Sequence, residues 1–288
     1  MTITPTRTSL YFEDFFVGQV LCSEFRTVTA EDLETFTRVS GDKHPMHTDP
    51  EFARTTRYGE RILQGPFGLA AVFGLLNDMH IIDDSVVGLL DTNWHYRRPI
   101  RIGDELAFEM TITGKHRTSR GNEGVVDRHI VLRDRSGHVV QEGTSAVLIA
   151  ARSAGNATEL PSRAFGTRDW GVALAERLQQ DPKFASATAS VNSTIALRSG
   201  ADEIGFHIYR GRIIEVTSWT PLGPTFTLLG SKLTWTKLFT GPRNDFMEAA
   251  MRGDITVYGN TYEYRRVIKA LMILVDHARA LATEGEQR

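Results

Sequence analysis

Between residues 19 and 29 the apolar positions Val20, Phe25 and Val28 stand among polar ones, an extended pattern. Thr29 follows, with the carboxylate of Asp32 three residues on, a spacing that lets the two side chains cap a helix start. Leu33, Phe36 and Val39 then form one apolar stripe at helical spacing, and the helix must stop before Gly41. A loop runs to Asp49–Pro50, a good cap followed by the residue whose fixed φ suits a first helical position. After Gly65–Pro66, residues 67–79 are nearly all apolar, so the helix they form must be wrapped by other elements. Four extended segments follow, at 86–99, 105–116, 124–133 and 139–151, with Ser136–Gly137 as a hairpin turn. A buried helix followed by consecutive antiparallel strands predicts a sheet wrapped around that helix.

From 152 to 167 the composition shifts to Ser, Ala, Gly, Asn and Pro without periodicity, which predicts a linker between domains at 10–151 and 168–288. Beyond it an amphipathic helix is predicted over 170–180. Strands follow at 194–198, 203–209, 213–218 (after a turn at Gly211) and 225–229. Helices at 231–239 and 244–251, a strand at 254–258 and a long closing helix at 262–282 complete an α+β pattern. Val267, Leu271, Leu274, Val275 and Ala278 share one face of that last helix.

Composition narrows the function classes. A net charge of −2 leaves no electrostatic footprint for nucleic acid, and Arg97, Arg98 and Arg101 read as a solvated strand end. The single cysteine, Cys22, excludes an internal disulfide, fits a reducing cytoplasm, and beside Val20 and Leu21 reads as a buried structural thiol. Residues 1–9 lack an apolar signal core, and the strongest apolar run, 270–275, is too short for a transmembrane segment. A cytoplasmic chain is expected.

The chemistry concentrates in the loop. Asp42, His44, His47 and Asp49 fall within eight residues, stiffened by Pro45 and Pro50. A metal site is one reading, but the spacing lacks a helical i, i+4 pair and no further cluster follows, so no metal is expected. The other reading is an acid–base pair, an imidazole and a carboxylate sharing proton work. On spacing alone, both remain open beside a purely structural role. Asp49 reads as a helix cap.

The wider frame is Gly41-Asp42-x-x-Pro45-x-His47-x-Asp49-Pro50, with Gly65 eighteen residues after His47 at the start of the apolar helix. Together with Phe16-Val17-Gly18 and the run Arg98 to Glu105, it resembles R-specific enoyl-CoA hydratases and MaoC-like dehydratases over about residues 11–150. The resemblance implies a hotdog fold, with a sheet around a central helix. It also implies that Asp42 and His47 hold a water and exchange a proton with the α-carbon of an acyl thioester. The N–H of Gly65 would receive the thioester oxygen, where enolate charge develops. His44, Gln64, Phe67 and Phe73 are then expected around the substrate. Three of these depart from the family's pattern, which usually has Asn at His44, His at Gln64 and often a small polar residue at Phe73. No cofactor is implied beyond coenzyme A as part of the substrate. The partners implied are an acyl-CoA or acyl-carrier-protein thioester and a second copy of the chain in a homodimer.

The second half resembles sterol-carrier-like lipid-binding domains in its element order, in Trp235–Gly241 and in Gly253–Asn260. That implies a tunnel for a hydrophobic lipid or acyl chain, with Trp219, Phe226, Trp235, Phe239 and Phe246 as candidates to line it. No titratable pair with a recognisable frame occurs there, so no catalysis is assigned to it. Two alternatives stand beside a hydro-lyase: a dehydratase or isomerase of polyketide, isoprenoid or steroid thioesters on the same fold, and a noncatalytic lipid or acyl-thioester binder.

Overall fold

A computed structural model describes residues 9–154, 164–220 and 223–284 of the chain. They form two compact units, the first built from residues 9–15, 19–112 and 116–154, the second from residues 16–18, 113–115 and 164 onward. Of the expected linker, residues 155–163 lie outside the described residues.

In the first unit, strands β1 (Val20–Cys22), β3 (Val86–Tyr96), β4 (Glu105–Arg117), β5 (Glu123–Asp134) and β6 (Val139–Ala150) form one sheet in the order β1-β4-β5-β6-β3. The short β2 (Arg26–Thr27) also pairs with β4. Alternation decides which face is buried: on β5, Val126, Arg128, Ile130 and Leu132 all point inward. Against that face lies α4 (Phe67–Asp78), whose Phe67, Ala71, Val72, Leu75 and Leu76 share a core with Leu106, Phe108, Met110, Ile130 and Leu132. Each such side chain contributes roughly 1.5–3 kcal/mol by leaving water, before the entropy of ordering the chain is subtracted. The result is a sheet packed around one apolar helix.

Ahead of it, α1 (Ala30–Ser40) starts as its sequence dictates. Thr29 Oγ1 accepts from the Asp32 N–H at 3.1 Å and Asp32 Oδ2 accepts from the Thr29 N–H at 2.8 Å. Gly41, at φ 73°, ends it in the left-handed conformation that glycine adopts without steric cost. Two details differ from the pattern-based expectation. The first extended segment breaks into β1 and β2, and Cys22 is exposed, because Leu21 takes the inward phase of that short strand. The expected loop at 41–50 contains a helical turn, α2 (Pro45–Thr48), before α3 (Pro50–Thr55).

The second unit is a five-stranded sheet in the order β11-β10-β7-β8-β9, from β7 (Asn192–Ser199), β8 (Asp202–Tyr209), β9 (Arg212–Thr217), β10 (Phe226–Gly230) and β11 (Ile255–Gly259). Only β10 runs parallel to its neighbour β7. Helices α5 (Arg168–Gln179), α6 (Pro182–Ala187), α7 (Lys232–Thr240), α8 (Phe246–Arg252), α9 (Thr261–Arg266) and α10 (Ile268–Glu284) accompany it. Trp170, Phe184, Phe206, Phe226 and Phe246 are fully buried in its core. The expected closing helix is two helices, interrupted at Val267, whose side chain is fully buried and whose N–H is shared between the Glu263 and Tyr264 carbonyls.

Candidate active site

Asp42 follows Gly41 directly, so the left-handed end of α1 sets its direction. Its Oδ1 accepts from the His44 N–H at 3.2 Å, leaving Oδ2 for other work. The His44 ring caps α2, its Nδ1 accepting from the Met46 N–H at 3.2 Å. That turn delivers His47 inward, where only 7% of it stays exposed. His47 Nδ1 lies 2.7 Å from the Ile62 carbonyl oxygen. A carbonyl only accepts, so Nδ1 carries a proton and Nε2 is the nitrogen left for chemistry. The Ile62 segment is itself fixed by pairing, with the Leu63 N–H donating to the Ile100 oxygen at 2.9 Å.

Nε2 of His47 faces Oδ2 of Asp42 at 3.7 Å. That is too long for a direct hydrogen bond and short enough for one water to touch both acceptors. The two sequence-predicted acid–base residues are therefore brought together, one buried and one half-exposed.

Gln64 is buried, and its Nε2 donates to Thr37 Oγ1 at 2.8 Å and to the Asp42 carbonyl at 3.1 Å. It ties α1 and the Asp42 backbone to the segment entering α4. Its Oε1 is buried without a partner. Gly65 comes next, with its N–H at the positive end of the α4 dipole. Among the described residues no protein acceptor takes that N–H. The carbonyl of Gly65 is held by Gln141 Nε2 at 2.9 Å, and Gln141 Oε1 accepts from Trp94 Nε1 at 2.7 Å. A Cβ on Gly65 would touch the Tyr96 ring at 3.4 Å, so the absent side chain keeps this approach open. His47, Gln64, Gly65, Tyr96, Gln141 and the arginines Arg57, Arg97 and Arg98 border one pocket of about 530 Å³.

The remaining expected residues disperse. His44 is exposed, its ring 6.2 Å from that of His47 and edge-on to Phe52 at 5.9 Å. Phe67 is core, edge-on to Phe36 at 5.7 Å. Phe73 lies two turns further along α4, half-buried beneath the guanidinium of Arg128. In the second unit Trp235 and Phe239 stack at 5.6 Å within the core, with Trp170 at 5.4 Å from Phe239. Trp219 is 68% exposed and stands apart from them. Phe226 and Phe246 are fully buried.

Sequence reasoning missed Gln141 and Tyr96. A signal for Gln141 existed: it shares the inward phase of β6 with Val147 and Ile149, where a polar residue needs a reason. Of the basic cluster, Arg97 pairs with Glu142 and Arg101 with Glu60, both at 2.9 Å, while Arg98 borders the pocket.

No helix among the described residues is long and apolar enough to cross a membrane, and no group of three or more His, Cys, Asp or Glu there could hold a metal ion.

Residues 17–132 match the family model described as the MaoC like domain. An (R)-specific enoyl-CoA hydratase of Rhodospirillum rubrum is 28% identical over 147 residues, which cover 49% of this chain and 93% of the relative. A 3-hydroxybutyryl-CoA dehydratase of Methylorubrum extorquens is 31% identical over 110 residues, covering 38% of this chain and 67% of the relative. The crystal structure of a MaoC-like dehydratase from Rhodospirillum rubrum aligns over 50% of this chain and 99% of its own, with 26% identity and a TM-score of 0.44. The apolar helix in its sheet, the His47–Asp42 pair, the family model and the two matching relatives lead to one assignment: the chain belongs to the family of MaoC-like hydratases and dehydratases.

Proposed function

We propose that the first unit is a hydro-lyase that adds water to, or removes it from, an α,β-unsaturated acyl thioester of coenzyme A or acyl-carrier protein. The observation that carries this is the facing of His47 Nε2 and Asp42 Oδ2, with the other histidine nitrogen committed to the Ile62 carbonyl. In the hydration direction, the pair holds a water whose oxygen bonds to the β-carbon while its proton passes to one member of the pair. The same member then delivers that proton to the α-carbon, so water is added whole and the pair ends as it began. Between these events negative charge develops on the thioester oxygen, and in this reading the Gly65 N–H, with α4 behind it, receives it. A donor of this kind is worth about 3 kcal/mol of barrier. Elimination is the same path in reverse, the α-proton being taken up by the pair and passed to the departing oxygen.

A homodimer belongs to the same proposal. β3 is paired on one side only, and Val86, Val87, Leu89 and Leu90 on it are each about half exposed. A long apolar edge strand without a second neighbour suits pairing with its copy. For the second unit we carry forward the binding of a hydrophobic acyl chain, which its sequence suggested and which its closed aromatic core would have to open to admit.

The deciding experiment is a hydration assay of the full chain with crotonyl-CoA, read as loss of the conjugated-thioester absorbance. Turnover lost in Asp42→Asn and His47→Ala supports the reading. A well-folded chain that hydrates neither short nor long enoyl thioesters sinks it. Sedimentation equilibrium gives the oligomeric state, and a monomer at micromolar concentration removes the dimer from the proposal.

A further inference from the structure

Arg128 occupies the middle of β5 on its inward face, between Val126 and Ile130, and is 4% exposed. Its surroundings are apolar: Phe15, Leu76, Ile82, Ile112 and Val147 line the same small cavity. Among the described residues no carboxylate pairs with it. Its hydrogen-bond partners are the Ser145 hydroxyl at 3.3 Å and the weak acceptor Met110 Sδ at 3.9 Å, with the face of Phe73 at 5.9 Å and its Nε unpaired. Burial pushes its pKa down to about 10, which still leaves the guanidinium charged at neutral pH. A buried charge with such partners costs several kcal/mol, and a sheet interior normally carries none.

Two rulers place it relative to the reacting end. Along α4, Phe67 and Phe73 are six residues apart, about 9 Å at 1.5 Å per residue, and Gly65 stands two residues before the helix. Along β6, Gln141 (bonded to Gly65) and Ser145 (bonded to Arg128) are four residues apart, about 13 Å on the same face. Between the two ends, α4 is least buried on one side. Leu69 and Phe73 are half-buried, and Pro66, Ala70 and Gly74 are exposed. The less buried side of α4 is thus apolar between Pro66 and Gly74, and its Phe73 lies against the buried cation.

We propose that Arg128 is a specificity group for the far end of the acyl chain, so that the thioester substrate carries a carboxylate there. This rests on the reading of the first unit as an acyl-thioester hydro-lyase. An extended chain advances about 3.5 Å per three bonds, so a span of about 13 Å corresponds to roughly eleven bonds, a medium-length dicarboxylic acyl group. The guanidinium fork matches a carboxylate in two parallel hydrogen bonds, and Nε offers one of the donors. Phe73, where the family often has a small polar residue, lies over that fork and must swing aside to admit the group.

The test compares 2-enoyl-CoA thioesters of about ten carbons that end in a methyl or in a carboxylate, with crotonyl-CoA as a substrate too short to reach Arg128. The expected kcat/KM is at least about tenfold higher for the carboxylate-ended thioester. Arg128→Leu should abolish that preference while crotonyl-CoA turnover persists. Should Arg128→Leu fail to fold, the preference of the unaltered chain decides. Equal or lower kcat/KM for the carboxylate-ended thioester, with crotonyl-CoA turned over, overturns the inference and leaves the hydro-lyase reading intact. If no thioester is turned over, that reading fails, and calorimetric titration with the two saturated acyl-CoA counterparts decides the inference. At least about tenfold tighter binding of the carboxylate-ended form supports it, and equal binding overturns it.

Discussion

The two units spend their aromatic and polar residues differently. In the first, a sheet holds an apolar helix whose entrance is left polar, with buried His47, Gln64 and Gln141 converging on it. In the second, the aromatic residues close on one another, with Phe239 against both Trp170 and Trp235 and the Trp235 Nε1–H satisfied by the Arg198 carbonyl at 3.0 Å. An aromatic residue in a sequence is thus weak evidence for a ligand. Buried amides and imidazoles that hydrogen-bond backbone carbonyls are stronger evidence, because each costs stability unless its geometry is used.

The sharpest break in this comparison comes from the acid–base pair. Asp42→Asn and His47→Ala should each lower turnover by about a hundredfold or more, with the thermal midpoint little changed for the half-exposed Asp42. Steady-state assays on the folded variants check this. Near-wild-type activity in both would put the chemistry elsewhere.

The converse substitution is Trp235→Ala, expected to destabilise the second unit by about 3–5 kcal/mol through the cavity it leaves. Denaturant unfolding reads the cost, and crotonyl-CoA turnover at low denaturant should be retained. A loss of turnover matching that of the His47 variant would show that the units do not divide their labour.

Smaller effects sharpen the contrast. Gln141→Leu leaves the Gly65 carbonyl and the Trp94 N–H without their partner, a cost of about 1–3 kcal/mol. Turnover should drop roughly tenfold, in kcat more than in KM, because the amide positions Gly65 and does not itself touch the reacting atoms. A change confined to KM would make it a binding residue. In the second unit, a lipid must part Trp235 from Phe239 to enter. Titration of the full chain with fatty acids of increasing length should therefore change tryptophan emission, and affinity should rise by up to about 0.8 kcal/mol per methylene. An emission that never changes leaves the cluster as core.

The smallest expected effect is that of His44→Asn. The His44 ring accepts the Met46 N–H as a helix cap, and asparagine caps equally well, which gives a physical reason for the amide usual in the family. Activity within about threefold of the parent is expected, on the scale of small cap differences. Inactivity of the folded variant would make His44 a reacting group.

Much of this was legible beforehand because the signals were local. The Thr29–Asp32 caps, the Asp49–Pro50 helix start and the alternation of β4 to β6 each depend on neighbours within a few residues. The Asp181–Pro182 pair carries the same signal as Asp49–Pro50 and starts α6, which the apolar pattern did not reveal because the helix is only six residues long. Long-range partnerships were not legible. Gln141 meets Gly65 across 76 positions of sequence, and Arg128 meets Ser145 through strand register, which no local pattern encodes. Cys22 was misjudged because a strand of three residues has too few positions to reveal its phase.

That register has a further consequence. Gln141 and Ser145 face α4 only because β6 lies in one particular phase against β5 and β3. A shift of β6 by a single position would turn both outward and bring Val140 or Glu142, and Thr144 or Ala146, into their places. The hairpin around Ser136–Gly137 sets that phase, and one irregularity in the ladder already falls beside it, between Leu132 and Arg133. A length change in this exposed turn, far from Asp42 and His47 in sequence, therefore reaches the active site as a change of sheet phase. Surface exposure is a poor guide to where this chain tolerates insertion.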